Sequence, residues 1–157
     1  MKKSKTYYMK EAIKEAKKAY NIGEVPVGCV IVKDEEIIAR SHNLRETTQN
    51  STMHAEIIAI NEACKKLNSW RLNDCDIYVT LEPCAMCTGA LILSRINKVV
   101  FGASDPKFGS IVSLVKLLDV EKYNHKVDYE SGVLEADCVN LLKQFFQSLR
   151  QEKKIDK

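Results

Sequence analysis

The feature that most constrains this chain is a Pro-Cys-x-x-Cys segment, Pro83 to Cys87, which follows the apolar run DIYVTL after one residue. An apolar run of this kind is typical of a buried strand, and the proline favours a helix start directly after it. Two cysteines three positions apart on the first turn of a helix project to the same side. A helix N-terminus also lowers the pKa of a thiol and favours the thiolate that binds metal. The segment therefore predicts half of a metal site at the end of a strand.

The other half is expected in MHAEIIAI, residues 53–60, where His54 and Glu56 precede an apolar helical run. A His-x-Glu pair alone is common and gains meaning only beside the cysteines. In an α/β sheet, helix starts that follow strands gather at the carboxyl ends of the strands, so His54, Cys84 and Cys87 can surround one ion. Three protein ligands leave the fourth tetrahedral position of zinc open for water, as in catalytic sites. Glu56 would then take up and deliver the proton of this water.

Two other interpretations of the cysteine pair remain open. A Cys-x-x-Cys between a strand and a helix is also typical of a thioredoxin-like redox pair, although here the proline precedes the pair and neither proline nor glycine lies within it. A structural zinc site would need a second ligand pair at short spacing, which the sequence lacks. The isolated cysteines are predicted to be small buried side chains: Cys29, Cys64, Cys75 and Cys138.

The remaining sequence alternates helical and strand patterns. Helices are predicted over residues 7–21, 54–67 and 133–150, from Pro83 onward, and in the run IVSLVKLL. Strands are predicted in VPVGCVIV, IIAR, DIYVTL, KVVFGA and KVDYES, with a polar turn at 33–36 and a polar loop at 41–53. The pattern predicts an α/β fold, a three-layer α/β/α sandwich around a mixed five-stranded sheet. Helical crossovers should make the strands at 77–81 and 98–103 parallel, and 157 residues fit one domain, 1–157.

Charge and hydropathy indicate where the protein acts and which partners it has. No apolar run approaches the ~18 residues of a membrane-spanning helix, and the lysine-rich start lacks the apolar core of a signal peptide. The protein is therefore expected in the cytoplasm, with no membrane partner. The net charge is +3, and residues 143–157 carry five basic and two acidic side chains. This basic tail, about 151–157 beyond the last helix, either contacts phosphate or only aids solubility.

The chain resembles the bacterial tRNA-specific adenosine deaminases of the cytidine deaminase-like superfamily over nearly its whole length. The pattern His-x-Glu…Pro-Cys-x-x-Cys marks the superfamily. EVPVG (24–28) is among the matching stretches, and the stretch SRINKVVFGASDPKFG (94–109) and the helix of Phe145-Phe146 are closer to the tRNA enzymes. The sequence departs from the family pattern at residues 50–53 and at Ser104, which affects loop shape and RNA contacts rather than the zinc ligands.

The resemblance implies a homodimer with one Zn²⁺ per subunit that hydrolytically converts adenosine to inosine at the wobble position of an arginine tRNA anticodon. By position match, Asn43 would hydrogen-bond the flipped base, and Val27 and Leu81 would line its pocket. Asp105 and Lys107 would lie near the sugar and phosphate of the nucleotide. The anticodon stem-loop suits such an enzyme because its unstacked bases can be splayed out.

The last helix is expected to add RNA contacts. Phe145 and Phe146 point about 100° apart on a helix, so one should be buried and the other left nearer the surface beside Arg150. An exposed aromatic ring among basic residues suits an unstacked base and its phosphates. Phe146 and Arg150 are therefore predicted to bind the substrate.

The sequence leaves two other functions open. The first is a deaminase of a free base or nucleoside, such as guanine or cytosine, on the same scaffold. The second is a nucleic-acid-binding protein that keeps the fold without catalysis. Glu56 argues against the second, because a non-catalytic protein has no need of the proton carrier.

Overall fold

The structure is a computed structural model, and it describes residues 2–155. Its strands are β1 (Gly28–Lys33), β2 (Glu36–His42), β3 (Cys75–Leu81), β4 (Lys98–Ala103) and β5 (Asp128–Ser131). Its α-helices are α1 (Lys5–Asn21), α2 (Arg45–Thr48), α3 (Ala55–Leu67), α4 (Ala85–Leu93) and α5 (Glu135–Ile155), and a 3₁₀ helix covers Leu117–Asp119. None of the helices in this described part is both long and apolar enough to cross a membrane.

The strands form the predicted mixed five-stranded sheet, in which their order is β2-β1-β3-β4-β5. β1 runs antiparallel to both β2 and β3, whereas β3, β4 and β5 are parallel to one another. The β1–β2 hairpin closes at Asp34 and Glu35, which both have positive φ, as a tight turn between twisted strands requires. The α4 crossover joins β3 to β4, so the carboxyl ends of these two strands lie side by side.

Helices cover both faces of the sheet, which confirms the three-layer prediction. On one face α3 and α4 pack through Ala59 and Leu91 against a fully buried surface that includes Ile77 and Phe101. On the other face α1 and α5 pack against a second apolar cluster, which contains Met9, Ala12, Val30, Val100 and Cys138. Gly28 lets α1 approach closely, since a Cβ there would overlap the α1 backbone at Ala12. The segment between β3 and α4, which contains Pro83 and Cys84, lies at the carboxyl ends of the two parallel strands β3 and β4.

The predicted starts of α1 and α4 and the predicted loop at 41–53 were wrong. α1 begins at Lys5 instead of residue 7, because the Ser4 side chain accepts the N–H of Tyr7 (3.1 Å) and caps the helix. α4 begins at Ala85, so Pro83 precedes the helix and is not its first residue. Within the predicted loop at 41–53, β2 extends to His42 and α2 forms one helical turn.

The run IVSLVKLL does not form the predicted helix. Residues 110–114 form turns, and only the 3₁₀ helix Leu117–Asp119 follows. The backbone turns here instead: the N–H groups of Ile111, Val112 and Ser113 donate to the carboxylate of Glu82, about thirty residues earlier in the chain. The N–H of Leu117 donates to the carbonyl of Ser110, which is not an α-helical hydrogen bond. β4 and β5 are nevertheless parallel, joined by this irregular segment in place of an α-helix.

The last helix is longer than predicted. α5 runs from Glu135 to Ile155, so residues 151–155 of the basic tail continue the helix. Residues 156 and 157 lie outside the described part of the chain. The basic side chains near the C-terminus are therefore displayed on a helix, with fixed spacing relative to Phe146.

Candidate active site

Two helix starts bring the three predicted metal ligands together. His54 is the residue directly before α3, and Cys84 stands in the same position before α4. Cys87 follows in the first turn of α4 and is fully buried. The Nδ1 atom of His54 lies 3.6 Å from the Sγ of Cys84 and 3.6 Å from the Sγ of Cys87. All three ligand atoms lie within 4.8 Å of one another.

The distances fit a tetrahedral zinc site. Zn–S bonds of about 2.3 Å and Zn–N bonds of about 2.0 Å, at tetrahedral angles, place nitrogen and sulfur about 3.5 Å apart. The two observed His54–cysteine distances of 3.6 Å agree with this value. Two thiolates would neutralise Zn²⁺, and a neutral imidazole adds no charge. His54, Cys84 and Cys87 can therefore hold Zn²⁺ and leave one coordination position open.

The electrostatics of the cysteine pair also favour a cation. The hydrogen bond from Cys87 is the main factor that lowers the pKa of Cys84 to about 4, and His54 contributes a second hydrogen bond. The same contact with Cys84, together with burial, raises the pKa of Cys87 well above its ordinary value. The hydrogen bond to Cys84 likewise raises the pKa of His54. The two thiols thus compete to carry one negative charge, and a divalent cation would stabilise both thiolates at once.

Glu56 lies beside this cluster. It is the second residue of α3 and only 4% exposed. Burial raises the pKa of its carboxyl, while the nearby His54 acts in the opposite direction. The Glu56 carboxyl also contributes to raising the pKa of the Cys87 thiol. The fold thus places one buried carboxyl group next to three potential metal ligands.

Two of the residues that the resemblance implies would hold the base, Asn43 and Val27, lie in the segments that flank the β1–β2 hairpin. Asn43 is buried at the end of β2, and its side chain donates to the Val25 carbonyl (3.3 Å) and accepts the N–H of Arg45 (3.3 Å). Its own N–H donates to the carbonyl of Val27 (3.0 Å). Val27 is half-buried against the core. Asn43 therefore holds two loop segments together whether or not it also contacts a base.

The remaining residues implied to contact the nucleotide follow β3 and β4. Leu81 ends β3 and pairs with Ala103 at the end of β4. Asp105 comes two residues later, and its carboxylate accepts the N–H groups of Lys107 (3.0 Å) and Phe108 (3.2 Å). This is the turn-forming role that aspartate often has. Lys107 itself is exposed.

A groove connects this loop to the last helix. It has a volume of about 670 Å³ and is lined by Lys107, Phe146 and Arg150, together with Ser104 and Lys143. Phe145 is 8% exposed and Phe146 is 41% exposed, which confirms that one ring of the pair is core and the other is at the surface. The structure thus brings together three predicted substrate-binding residues that are far apart in sequence.

Glu24 and Glu82 are buried carboxylates that the sequence did not single out, and both accept hydrogen bonds from loop backbone. Glu24 accepts the N–H groups of Glu46 (3.0 Å) and Thr47 (2.6 Å) and so holds α2. Burial raises the pKa of Glu82, but hydrogen bonds from Ser113 and from neighbouring backbone N–H groups outweigh it and hold the pKa below its usual value. The only signal in the sequence is an acidic residue at the edge of an apolar run, as in VTLEPC and GEVPVG.

Comparison with known proteins agrees with this geometry. A sequence model of the MafB19-like deaminase family matches residues 3–150. The tRNA-specific adenosine deaminase of Bacillus subtilis strain 168 is 59% identical over 147 residues, which cover 94% of this chain and 91% of the relative. A solved structure from a study of A-to-I editing by tRNA:A34 deaminases at the wobble position of transfer RNA is 40% identical. It superposes with a TM-score of 0.84 and covers 87% of this chain and 99% of its own.

Guanine deaminases are more distant. The structure of the Bacillus subtilis guanine deaminase is 39% identical, but it covers only 65% of this chain and 66% of its own, with a TM-score of 0.62. The fold and the His-Glu-Cys-Cys constellation define a hydrolytic deaminase of the cytidine deaminase-like class. The chain belongs to the family of tRNA-specific adenosine deaminases.

Proposed function

We propose that the protein hydrolyses adenosine to inosine at the wobble position of a tRNA anticodon. The observation that carries this proposal is the arrangement of His54, Cys84 and Cys87 around one point with Glu56 beside them, in a chain so similar to tRNA-specific adenosine deaminases. The overall reaction exchanges the 6-amino group of adenine for the oxygen of water and releases ammonia. Since its substrate is tRNA, the protein would act in the cytoplasm.

The side chains of this chain divide the chemistry between them. His54, Cys84 and Cys87 would hold Zn²⁺, which would supply a lowered pKa, towards ~7, to a water molecule at the site. Glu56 accepts a proton from the attacking water and delivers it to the ring nitrogen of adenine. Glu56 then passes the second proton of that water, from the hydroxyl now on C6, to the amino group, which leaves as ammonia while the C6–O bond becomes a carbonyl. Burial raises the pKa of Glu56 towards the working pH, so the carboxyl can both accept and release a proton.

The base would enter from the loops that flank the metal ligands. Asn43 offers a side-chain amide at the end of β2, and Val27 and Leu81 offer half-buried apolar surface for the ring. The bases of an anticodon loop can leave their stack at low cost, which suits a pocket of this kind. Asp105 shapes the turn that presents Lys107 to the sugar-phosphate backbone.

The groove beside this loop is proposed to carry the anticodon strand. Phe146 supplies a partly exposed ring for stacking, while Lys107, Lys143 and Arg150 supply positive charge along the same groove. Stacking of a base on an aromatic side chain contributes ~1–3 kcal/mol and depends little on sequence. The groove would therefore add affinity for RNA while the pocket selects the base.

Arg150→Ala should weaken binding of an anticodon stem-loop without affecting the metal site. The expected loss is largest at low salt, because each phosphate contact contributes about 0.7 to the slope of log K against log salt for single strands. Fluorescence anisotropy over a salt series measures both the affinity for the stem-loop and the slope of log K against log salt. Lys66→Ala is the matched control, since Lys66 is an exposed cation near the far end of α3. If the two variants have the same affinity and salt slope, the groove does not bind RNA.

A second copy of the chain is proposed to cover the outer face of α4. This helix, AMCTGALIL, has no charged residue, and its exposed face displays Met86 and Leu93, which is 71% exposed. Arg95, two residues beyond, stacks on the exposed ring of Trp70 (5.7 Å). Because α4 begins at the cysteines, a dimer formed here would border the active site.

Leu93→Glu should convert the protein from a dimer to a monomer. A charge introduced on the apolar face would be buried without a partner in the dimer, whereas in a monomer it is exposed to water. Sedimentation at micromolar concentration distinguishes the two states. Ile22→Glu, at an exposed apolar position in the layer of α1, is the control that should remain dimeric. A monomeric wild type, or a dimeric Leu93→Glu, would exclude this interface.

The proposed function is tested by a panel of substrates. Purified protein is incubated in parallel with an anticodon stem-loop, adenosine, cytosine and guanine, and the ammonia released is measured. We expect rapid release from the stem-loop alone. Faster release from guanine or from a free nucleoside would identify the protein as a small-molecule deaminase on the same scaffold.

A further inference from the structure

The buried carboxylate of Glu82 is the centre of the loop that follows β4. It is 2% exposed. It accepts the N–H groups of Asp105 (3.1 Å), Ile111 (3.1 Å), Val112 (2.9 Å) and Ser113 (3.1 Å), and also the Ser113 hydroxyl. Among the described residues, no lysine or arginine lies within salt-bridge distance of it. The charge is instead stabilised by converging backbone dipoles.

The loop is wound closely around this carboxylate. Gly109 packs against it, and a Cβ at this position would overlap both the carboxyl carbon of Glu82 and the carbonyl of Asp105. The N–H of Gly109 donates to the same Asp105 carbonyl (2.8 Å). Because residues at both ends of the loop donate to one side chain, the position of that side chain determines the shape of the whole segment.

Glu82 also connects this loop to the metal ligands. It lies between the end of β3 and Cys84, and its own N–H donates to the carbonyl of Ala103 (2.8 Å). The next residue, Pro83, accepts the N–H of Ser110 (2.9 Å). The loop is therefore fixed to the segment that immediately precedes the cysteines.

We propose that Glu82 is a positioning residue, which holds the loop of residues 104–113 so that Lys107 is correctly placed for the substrate. Glu82 acts through Asp105: it accepts the Asp105 N–H, and the Asp105 carboxylate then accepts the N–H of Lys107. Lys107 in turn lines the groove with Phe146 and Arg150. The proposal deepens the tRNA-deaminase function and rests on it for its kinetic readout.

Glu82→Gln separates positioning from chemistry. The oxygen that accepts from Ile111, Val112 and Ser113 can be retained as the amide oxygen. The other oxygen becomes an NH₂ group, which cannot accept from the Asp105 N–H. We expect the KM for an anticodon stem-loop to rise about tenfold, the size expected for one lost hydrogen bond to a charged group. The kcat and the zinc content should stay close to those of wild type.

Gly109→Ala provides a second variant that leaves the carboxylate intact. It should displace the loop from the other side and give the same rise in KM. Glu11→Gln is the matched control, because Glu11 of α1 is another buried carboxylate, paired with Lys14 of the same helix and with Arg40 of β2. This control should have an unchanged KM. A merely structural role for Glu82 would lower the fraction of active enzyme, and hence kcat, with KM unaffected.

Hydrogen exchange followed by mass spectrometry gives a readout that does not require activity. Glu82→Gln should speed exchange over residues 105–113 while the sheet exchanges as in wild type. An unchanged exchange rate in this loop, or a loss confined to kcat, would overturn the proposal. If wild-type protein fails to deaminate the stem-loop, the proposed function fails, but the exchange result still decides whether Glu82 holds the loop.

Discussion

Replacing Glu56 by glutamine should leave the fold and zinc content unchanged and nearly abolish deamination. General acid–base catalysis contributes about 10²–10⁴-fold, and the upper end is expected here because the same carboxyl moves protons in several steps. Glutamine has almost the same size as glutamate, so the helix start should not rearrange. Single-turnover rates on an anticodon stem-loop measure the effect.

The control for this variant lies on the same helix. Glu62→Gln changes an exposed carboxylate of α3 and should retain the wild-type rate. A Glu56→Gln protein that keeps more than a tenth of the wild-type rate would show that another group carries the proton.

Replacing Cys84 by serine should remove both zinc and activity. Serine is a poor zinc ligand, because its hydroxyl is not ionised at neutral pH, and only His54 and Cys87 would remain in the cluster. Elemental analysis is expected to fall from one zinc per wild-type chain to well below one per variant chain. Since a metal that binds only the native state stabilises it, the melting temperature should fall as well.

A second cysteine distinguishes this effect from a general loss of thiols. Cys64→Ser alters a half-buried thiol of α3 that lies outside the ligand cluster, and its zinc content should equal that of wild type. Stoichiometric zinc in the Cys84→Ser protein would mean that other residues hold the metal.

The parts of the fold that could be predicted from the sequence depend on local patterns. The apolar run before the cysteines forms β3, and the spacing of Cys84 and Cys87 places both on one side of the α4 start, as any first helical turn would. The alternation of strands and helices was enough for the mixed sheet and its two helical layers. These features need no information from distant residues.

The failures occur where a distant side chain supplies the hydrogen-bond partner. IVSLVKLL has a helical pattern of apolar residues, but the segment turns around the distant Glu82 carboxylate, which accepts three of its N–H groups. Glu24 similarly stabilises α2 within a segment that looked like a loop. A pattern within one segment cannot reveal an acceptor that the tertiary fold brings to it.

The candidate site also has parts that local patterns predict and parts that depend on distant contacts. The motif spacing was sufficient to group His54 with the cysteines, and the structure brings them together. The groove of Lys107, Phe146 and Arg150 combines a loop with a helix about forty residues later, and only the packing of α5 on the sheet defines it. The role of Glu82 was invisible because buried acids and surface acids look alike in sequence.

Inosine formation at the wobble position is tested most directly by locating the modified nucleotide in the product. An arginine tRNA transcript with adenosine at the wobble position is treated with the zinc-loaded protein, digested with a nuclease and analysed by mass spectrometry. We expect a gain of one mass unit, adenosine to inosine, at the wobble nucleotide alone, and no gain with Glu56→Gln. An unmodified wobble nucleotide, or inosine spread over other adenosines at similar rates, would contradict it.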